Sequence, residues 1–423
     1  MQVESFSNCF LQFTFIIGFL FNLFSDPDII RLPGPLAPLQ STIALFISKR
    51  RAPKSRAAYD SIGGGSPILK YSNAQADLLR ESIQNKYGMA VKTYIGMRYW
   101  HPFTEEALEG VRKDGIKALV IIPLYPQFSI STSGSSLRIL QEEFSKNAKQ
   151  YQDMVHTVVP SWYERPGYVK VMSDLIQTEL DSFTEEEIAA AKAETPDKPP
   201  VHVLFSAHGV PQSYIAAGDP YQKQIEKCVD TIGAKLLKNA APGSLEIHLS
   251  YQSRVGPIEW LRPYTDDVLP DLGTSGVRNL VVVPISFVSE HIETLEEIDM
   301  EYRELAEESG VTNWRRCPAL NMDPAFIEDM ADMVYEALLE PSLSVTEACV
   351  ANNVGSIDLE PLDSVGVSMT GVGGVGADGE LYQVNPSLLN KERINARVAM
   401  AGVLVTILLE LVSGKPLTNF LGL

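Results

Sequence analysis

VHVLFSAHGVP, Val201–Pro211, carries a mainly apolar run into a tight turn, and its reading decides the fold. Val201, Val203 and Phe205 favour strand, whereas Ser206, Gly209 and Pro211 favour turn. His208 is therefore expected just past the carboxyl end of a buried strand. In an open parallel sheet that edge is where ligands bind. A second stretch repeats the plan: NLVVVPISFVSEHIETLEEIDMEY, Asn279–Tyr302, runs from a buried strand into a helix crowded with acids. One imidazole and a bank of carboxylates delivered to one edge point to a site that handles protons and a metal cation together.

Outward from these two stretches, strand and helix alternate from residue 88 onward. Short β runs are expected at Val91–Ile95, Ala118–Ile122, His156–Val159, Val201–Phe205, Glu246–Leu249 and Leu280–Val283. Helical patterns separate them at Thr104–Lys113, Ser135–Gln150, Val169–Phe183, Tyr221–Asn239 and Ile292–Glu308, with a last long helix at Asp323–Leu339. The fold class is α/β, with parallel sheets and helices on both faces. The polar, Pro-bearing stretch 184–200 breaks this rhythm and reads as a domain join. Residues 342–390 have no sustained period, and the glycine-rich VGVSMTGVGGVGADG reads as flexible linker. Ile394–Val412 then has nearly the length of a bilayer span, although Asn395, Arg397 and Glu410 interrupt it. Composition leaves a membrane span and a buried or interfacial helix equally open.

At 423 residues the chain exceeds one ordinary core, so two domains plus appendages are expected. Its formal charge is −18, from 35 basic against 53 acidic residues, which argues against nucleic acid as a partner. Cys9, Cys228, Cys317 and Cys349 are too dispersed for a disulfide framework or a cysteine-held metal centre. The apolar run Phe10–Phe24 lacks the basic start of a secretory signal and reads as a helix of the folded domain, ended by Asp26 and Pro27.

Glu293, Glu297 and Glu301 recur every four residues and so share one helix face, with Glu290 a turn earlier, Asp299 to the side and His291 in the same turn. A generic acidic helix is a solvated face; this one begins at the ligand edge, where hard oxygen ligands could pass a divalent cation inward. His208 offers an imidazole, a side chain suited to accept a proton. Gly63-Gly64-Gly65-Ser66 lacks the strand and the Lys of a phosphate loop. With Arg51, Lys54 and Tyr59 upstream, the region is better suited to gripping the carboxylates of an anionic ligand. Aromatic-rich turns at Met97–Pro102, Pro123–Ser136, Pro160–Pro166 and Ser250–Leu261 suggest a wide cleft for a flat ring system.

The strings IGGGSP, RYWHPFTEEAL, YPQFSISTSGSS, FSAHGVP, GDPY, YQSRVGP and PISFVSEHIETLEEID, in this order across about Leu23–Leu339, closely resemble the ferrochelatase family. The resemblance implies a lyase that inserts Fe²⁺ into protoporphyrin IX, the terminal step of heme biosynthesis. It implies two flavodoxin-like lobes with a cleft between them, at 20–165 and 166–315, and a closing catalytic-domain helix within 316–341. His208 and Glu293 are implied to be catalytic, facing each other over a gap wide enough for the macrocycle. His208, His291, Glu293, Glu297 and Glu301 are implied to handle the metal. Arg51, Lys54, Tyr59, Ser66, Arg98 and Tyr125 are implied to contact the porphyrin. No organic cofactor is implied, and the cysteines of the family's optional [2Fe–2S] cluster are not matched.

The tail, 391–414, resembles the light-harvesting type of transmembrane helix through the E-x-x-N-x-R pattern of Glu392, Asn395 and Arg397. Ala396 stands where a glycine is usual. The pairing of catalytic domain and tail is similar to plastid ferrochelatases. It implies a chloroplast protein attached to the thylakoid or another plastid membrane, a homodimer paired through Glu392 and Arg397, and chlorophyll or carotenoid at that helix. The family's opening strand and Leu-Asn-x-Gly-Gly-Pro loop are not matched, and the expectation is a truncated or mispredicted start. Three alternatives stay open: a chelatase for another divalent metal, a non-enzymatic tetrapyrrole carrier, and a catalytically impaired or truncated tetrapyrrole-binding or regulatory protein.

Overall fold

The structure, a computed structural model, describes residues 2–27, 29, 34–151, 154–254, 258–340 and 343–352. The glycine-rich linker, the 391–414 helix and with it Glu392, Asn395 and Arg397 lie outside the described residues. Among the described residues no helix is long and apolar enough to cross a membrane. By contact the chain divides into two compact units, one built on Pro53–Arg254 and Trp260–Ser364 and the other including Met1–Ala52. The latter carries the expected apolar amino-terminal helix, Gln2–Ser25, which stops where Asp26 and Pro27 follow.

Among the described residues the unit from Pro53 holds six strands. β1 (Ala118–Ile121) and β2 (Val155–Val158) pair in parallel as a two-stranded ladder. β3 (Val201–His208), β4 (Leu245–Gln252), β5 (Asn279–Pro284) and β6 (Asn313–Arg316) form an all-parallel sheet in the order β4-β3-β5-β6. The two central strands are apolar without alternation because both their faces are covered. Val203, Phe205, Val281 and Val283 enter one buried cluster, with Ile176, Ile225, Ile232 and Phe326 of helices Pro166–Asp181, Tyr221–Asn239 and Pro324–Leu339. Leu204, Leu280 and Val282 enter another, with Leu269, Ile298 and Ala306.

Several expectations are corrected. Val91–Ile95 is not a strand; among the described residues no strand lies beside it to complete a ladder. β6, sequence NWRR, escaped a hydrophobic reading because charged residues are characteristic of a sheet edge. Ile292–Glu308 is not one α-helix: Glu293–Tyr302 is π-wound, and only Arg303–Glu308 is α. Residues 184–200 are more than a join, since Thr184 and Glu187 form a reciprocal cap that starts helix Glu185–Glu194. A similar exchange between Ser344 and Glu347 starts helix Val345–Ala351 within the expected linker. Helix Ile68–Tyr87, outside the predicted alternation, packs on Pro324–Leu339, where Tyr87 stacks on Tyr335 at 3.8 Å.

Glu290, read from sequence as part of the acidic bank, is structural. It is buried at 6% exposure, pairs with Arg316 Nη1 at 2.9 and 3.1 Å, and accepts the Ala319 N–H at 3.0 Å. Asp299 is likewise drawn to Arg316 and Arg303, at 3.3 and 3.1 Å. Removing one partner of a buried pair strands the other charge. Glu290→Ala is therefore expected to cost about 3–5 kcal/mol in urea unfolding, whereas truncation of exposed Lys170, paired with Asp174 at 2.5 Å, should cost under about 1 kcal/mol.

Candidate functional site

The strand order places the site. From β3 the chain crosses to β4 on one side, and from β5 it crosses to β6 on the other, so the connections diverge between the carboxyl ends of β3 and β5. Such a switch point opens a crevice in a doubly wound sheet. His208 ends β3, and the segment after Pro284 returns as the acidic helix whose first residue is Glu293. His208 Nε2 and Glu293 Oε1 lie 3.8 Å apart. The two do not face each other over a macrocycle-wide gap: β3 and β5 are hydrogen-bonded neighbours, and neighbouring strands are only about 4.8 Å apart. They stand side by side on one edge, each side chain about one-third exposed.

His208 is held on both its backbone and its ring. Its N–H donates to Ser286 Oγ at 3.0 Å, Tyr221 Oη donates to its carbonyl at 2.9 Å, and Ser286 Oγ and Tyr221 Oη meet at 2.7 Å. Donors and acceptors balance if the serine hydroxyl donates to the phenol, which closes a buried ring of three hydrogen bonds. On the imidazole, Nδ1 lies 2.7 Å from the Gly209 carbonyl. A carbonyl can only accept, so this network assigns the proton to Nδ1 and leaves the Nε2 lone pair toward Glu293. Gly209 also donates to the Gln252 carbonyl at 2.9 Å. A Cβ there would stand 2.8 Å from that carbonyl oxygen and 3.3 Å from the Trp260 ring, so only glycine allows this approach.

The acidic helix supplies a graded set of carboxylates. Burial works against the Glu293 charge, but His208 in its protonated form and then His291, 3.5 Å away, outweigh it and bring its pKa down to about 2. Glu297 goes the other way: burial, and then the Glu293 charge, push it up to about 6. Ser253 Oγ lies 2.9 and 2.8 Å from the Glu297 oxygens, and Tyr302 Oη donates to one of them at 3.1 Å. Ser253 holds this place with a left-handed φ of 63°, a conformation uncommon outside glycine and found at functional sites. Glu301, farther out, is 51% exposed in its side chain and 3.6 Å from Lys54. A shallow depression of about 310 Å³ there is lined by Lys54, Ala58, Ser61, Glu296, Glu301 and Glu304 among others.

Of the remaining expected residues, Tyr59 and Tyr125 lie within the field of Glu293: desolvation first, and that carboxylate second, raise both phenols. Arg98 donates to Ser135 Oγ at 2.9 Å and lies over the Tyr99 ring. Ser66 is exposed, accepting the Ile68 N–H at 3.4 Å, and Arg51 is exposed on helix Gln40–Ser61. The sequence reading missed Ser286, Tyr221, Ser253, Asp219 and Tyr302. The first four lie inside the strings PISFVSEH, GDPY and YQSRVGP, so the signal was present without a role. Asp219 accepts from Ser129 Oγ and the Ile130 N–H, both at 2.9 Å, at the start of a second π-wound segment, Ile130–Gly134. Tyr302 is five residues past Glu297, a spacing that meets only where the helix is π-wound.

The coupled carboxylates give a pH signature. A carboxyl whose folded-state pKa is raised contributes stability that is fully present below its unfolded value and is lost as pH rises. For Glu297 that loss runs through about pH 6. Glu297→Gln should remove this component from a plot of unfolding free energy against pH. Glu293→Gln should lower the Glu297 midpoint seen by ¹³C NMR without restoring it fully, because burial is the larger cause.

Known proteins of one family resemble this chain. Residues 14–338 match the Ferrochelatase family model. Ferrochelatase-2, chloroplastic, of Oryza sativa subsp. indica is 49% identical over 406 residues, covering 94% of this chain and 72% of that protein. Ferrochelatase-1, chloroplastic/mitochondrial, of Arabidopsis thaliana is 57% identical over 322 residues, 76% of this chain and 66% of that protein. Ferrochelatase of Trichodesmium erythraeum is 47% identical over 406 residues, 96% of this chain and 94% of that protein. Among solved structures, SirB from Bacillus subtilis with Fe³⁺ is 16% identical with a TM-score of 0.42, covering 66% of this chain and 96% of that one. With the family model spanning both stretches that build the His208–Glu293 edge, the chain belongs to the ferrochelatase family, lyases that insert Fe²⁺ into protoporphyrin in heme synthesis.

Proposed function

We propose that this chain carries out its family's reaction at the His208–Glu293 pair. Insertion of Fe²⁺ into protoporphyrin removes two pyrrole N–H protons and forms the iron–nitrogen bonds with no redox step and no organic cofactor. The observation that supports this reading most is the fixed His208 ring, with Nδ1 held by the Gly209 carbonyl and Nε2 3.8 Å from the Glu293 carboxylate. Nε2 takes a pyrrole proton, and Glu293 stabilises the imidazolium that results. Glu297, which changes protonation near pH 6, is the next acceptor outward. Fe²⁺ enters along Glu301, Glu297 and Glu293, whose oxygens bind a divalent cation without the thiolates that would trap it; His291 steadies Glu293. The ring is held bent against the aromatic turns, with Tyr59 and Tyr125 beside it and Arg51, Lys54, Ser66 and Arg98 taking its propionates, so that binding energy offsets the distortion. The two lobes read at 20–165 and 166–315 form the cleft that admits it.

His208→Ala should abolish Fe²⁺ insertion while leaving protoporphyrin binding, followed by fluorescence quenching, within about threefold. Retained turnover would remove His208 from the mechanism. Ser286→Ala opens the hydrogen-bonded ring behind His208, and misplacing a catalytic group can cost on the order of a hundredfold. The expected loss is therefore in kcat, with KM for porphyrin little changed and activity partly rescued by Ser286→Thr.

The carboxyl-terminal segment serves location rather than chemistry in this reading. A plastid location is supported by the chloroplastic relatives. Residues 391–414 attach the chain to the thylakoid or another plastid membrane, Glu392 pairs with Arg397 of the partner subunit in a homodimer, and Asn395 lies in the pattern that holds chlorophyll or carotenoid. Deletion of residues 385–423 should release the protein from membranes and abolish dimer and pigment together; a deletion variant that stays membrane-bound and dimeric would overturn this role.

A further inference from the structure

The opposite end of the four-stranded sheet carries a second group of metal-ligating side chains. His202 and Glu246 are register partners near the starts of β3 and β4, and His248 follows two residues along β4. Side chains alternate along a strand, so all three emerge on one face. One nitrogen from each imidazole and one carboxylate oxygen lie within 4.8 Å of one another. His202 Nδ1 is 2.9 Å from His248 Nε2 and 3.7 Å from Glu246 Oε2. The other His202 nitrogen, Nε2, lies 3.1 Å from the Pro199 carbonyl. Because that oxygen can only accept, the ring proton belongs on Nε2 and the Nδ1 lone pair points into the cluster. A carbonyl behind the ring is also what typically orients a metal-bound histidine. His202 is 3% exposed, whereas Glu246, on the edge strand, is 48% exposed in its side chain, so the group is rigid on one side and open to solvent on the other.

We propose that His202, Glu246 and His248 form a second divalent-metal site, separate from the reaction. Two imidazoles and one carboxylate suit Zn²⁺ or a similar first-row ion, with water in the remaining position. Without the ion, the His248 Nε2 proton fills the short contact between the rings. Binding puts the ion in its place, and that proton passes through solvent to His248 Nδ1, so both rings stay neutral and no net proton is released. Six strand positions separate His202 from His208, about 20 Å. The ion therefore ties β3 to β4 at the end away from the porphyrin and stabilises the folded state by mass action. The site stands independently of the chelatase mechanism.

The test uses the full chain and Zn²⁺ alone, with His208→Ala added throughout to reduce binding at the catalytic edge. Equilibrium dialysis should find one Zn²⁺ fewer per chain in His248→Gln, and the Zn²⁺-dependent rise in Tm should shrink with it. In the His208-containing protein, His248→Gln should leave Fe²⁺ insertion unchanged. Glu246→Gln, on the exposed side and safe for folding, should weaken Zn²⁺ binding at least tenfold. Unchanged stoichiometry and affinity in both variants would mean that the two rings share only a proton, and the site would be withdrawn.

Discussion

The parallel pairing of β3 with β5 is the constraint on which the rest depends. Its register, Ser206 opposite Pro284, brings the end of FSAHGVP and the start of PISFVSEH to one edge of the sheet. Because the chain leaves these two strands in opposite directions, neither connection covers the crevice between them. A slip of one residue would turn His208 to the other face and break the pairing of its N–H with Ser286. The proximity of imidazole and carboxylate is thus a result of backbone hydrogen bonding, established before any side chain at the site adjusts.

Beneath that edge the apolar strands become polar in a controlled way. Ser206 Oγ donates to Gln252 Oε1 at 2.7 Å, and Ser250 and Thr265 share a hydroxyl contact at 2.8 Å, all of them buried. Buried polar groups are tolerable only when partnered, and once partnered they fix one arrangement. Here they anchor Gln252, whose carbonyl receives Gly209, and the carbonyl of Gly209 in turn selects the His208 tautomer. The orientation of one ring nitrogen therefore traces back to hydroxyls deep in the sheet.

Much of this was legible without coordinates, for a definable reason. β3 and β5 announce themselves because a strand buried on both faces has to be apolar throughout, and His208 stands out because turn formers follow it. Glu293, Glu297 and Glu301 were assigned to one face on an α-helical spacing, whereas the segment that carries them is π-wound. What escaped the reading depends on neighbours distant in sequence. Glu290 looks like its fellow acids until Arg316, 26 residues later, is seen to take it. Val91–Ile95 has the composition of a strand but finds no partner among the described residues, and NWRR has the partner without the composition. The π winding that joins Tyr302 to Glu297 has no signature in hydrophobic period.

Sequence by itself determined the alternation of buried strands and amphipathic helices, and that His208 and the acidic helix come to one edge of the sheet. Both follow from local period and turn preference. Only the tertiary structure decided that His208 and Glu293 stand side by side, which nitrogen of His208 is free, and which acids are ionised, protonated or spent on arginines. Those properties are set by desolvation and by contacts between strands that meet only once the sheet has formed.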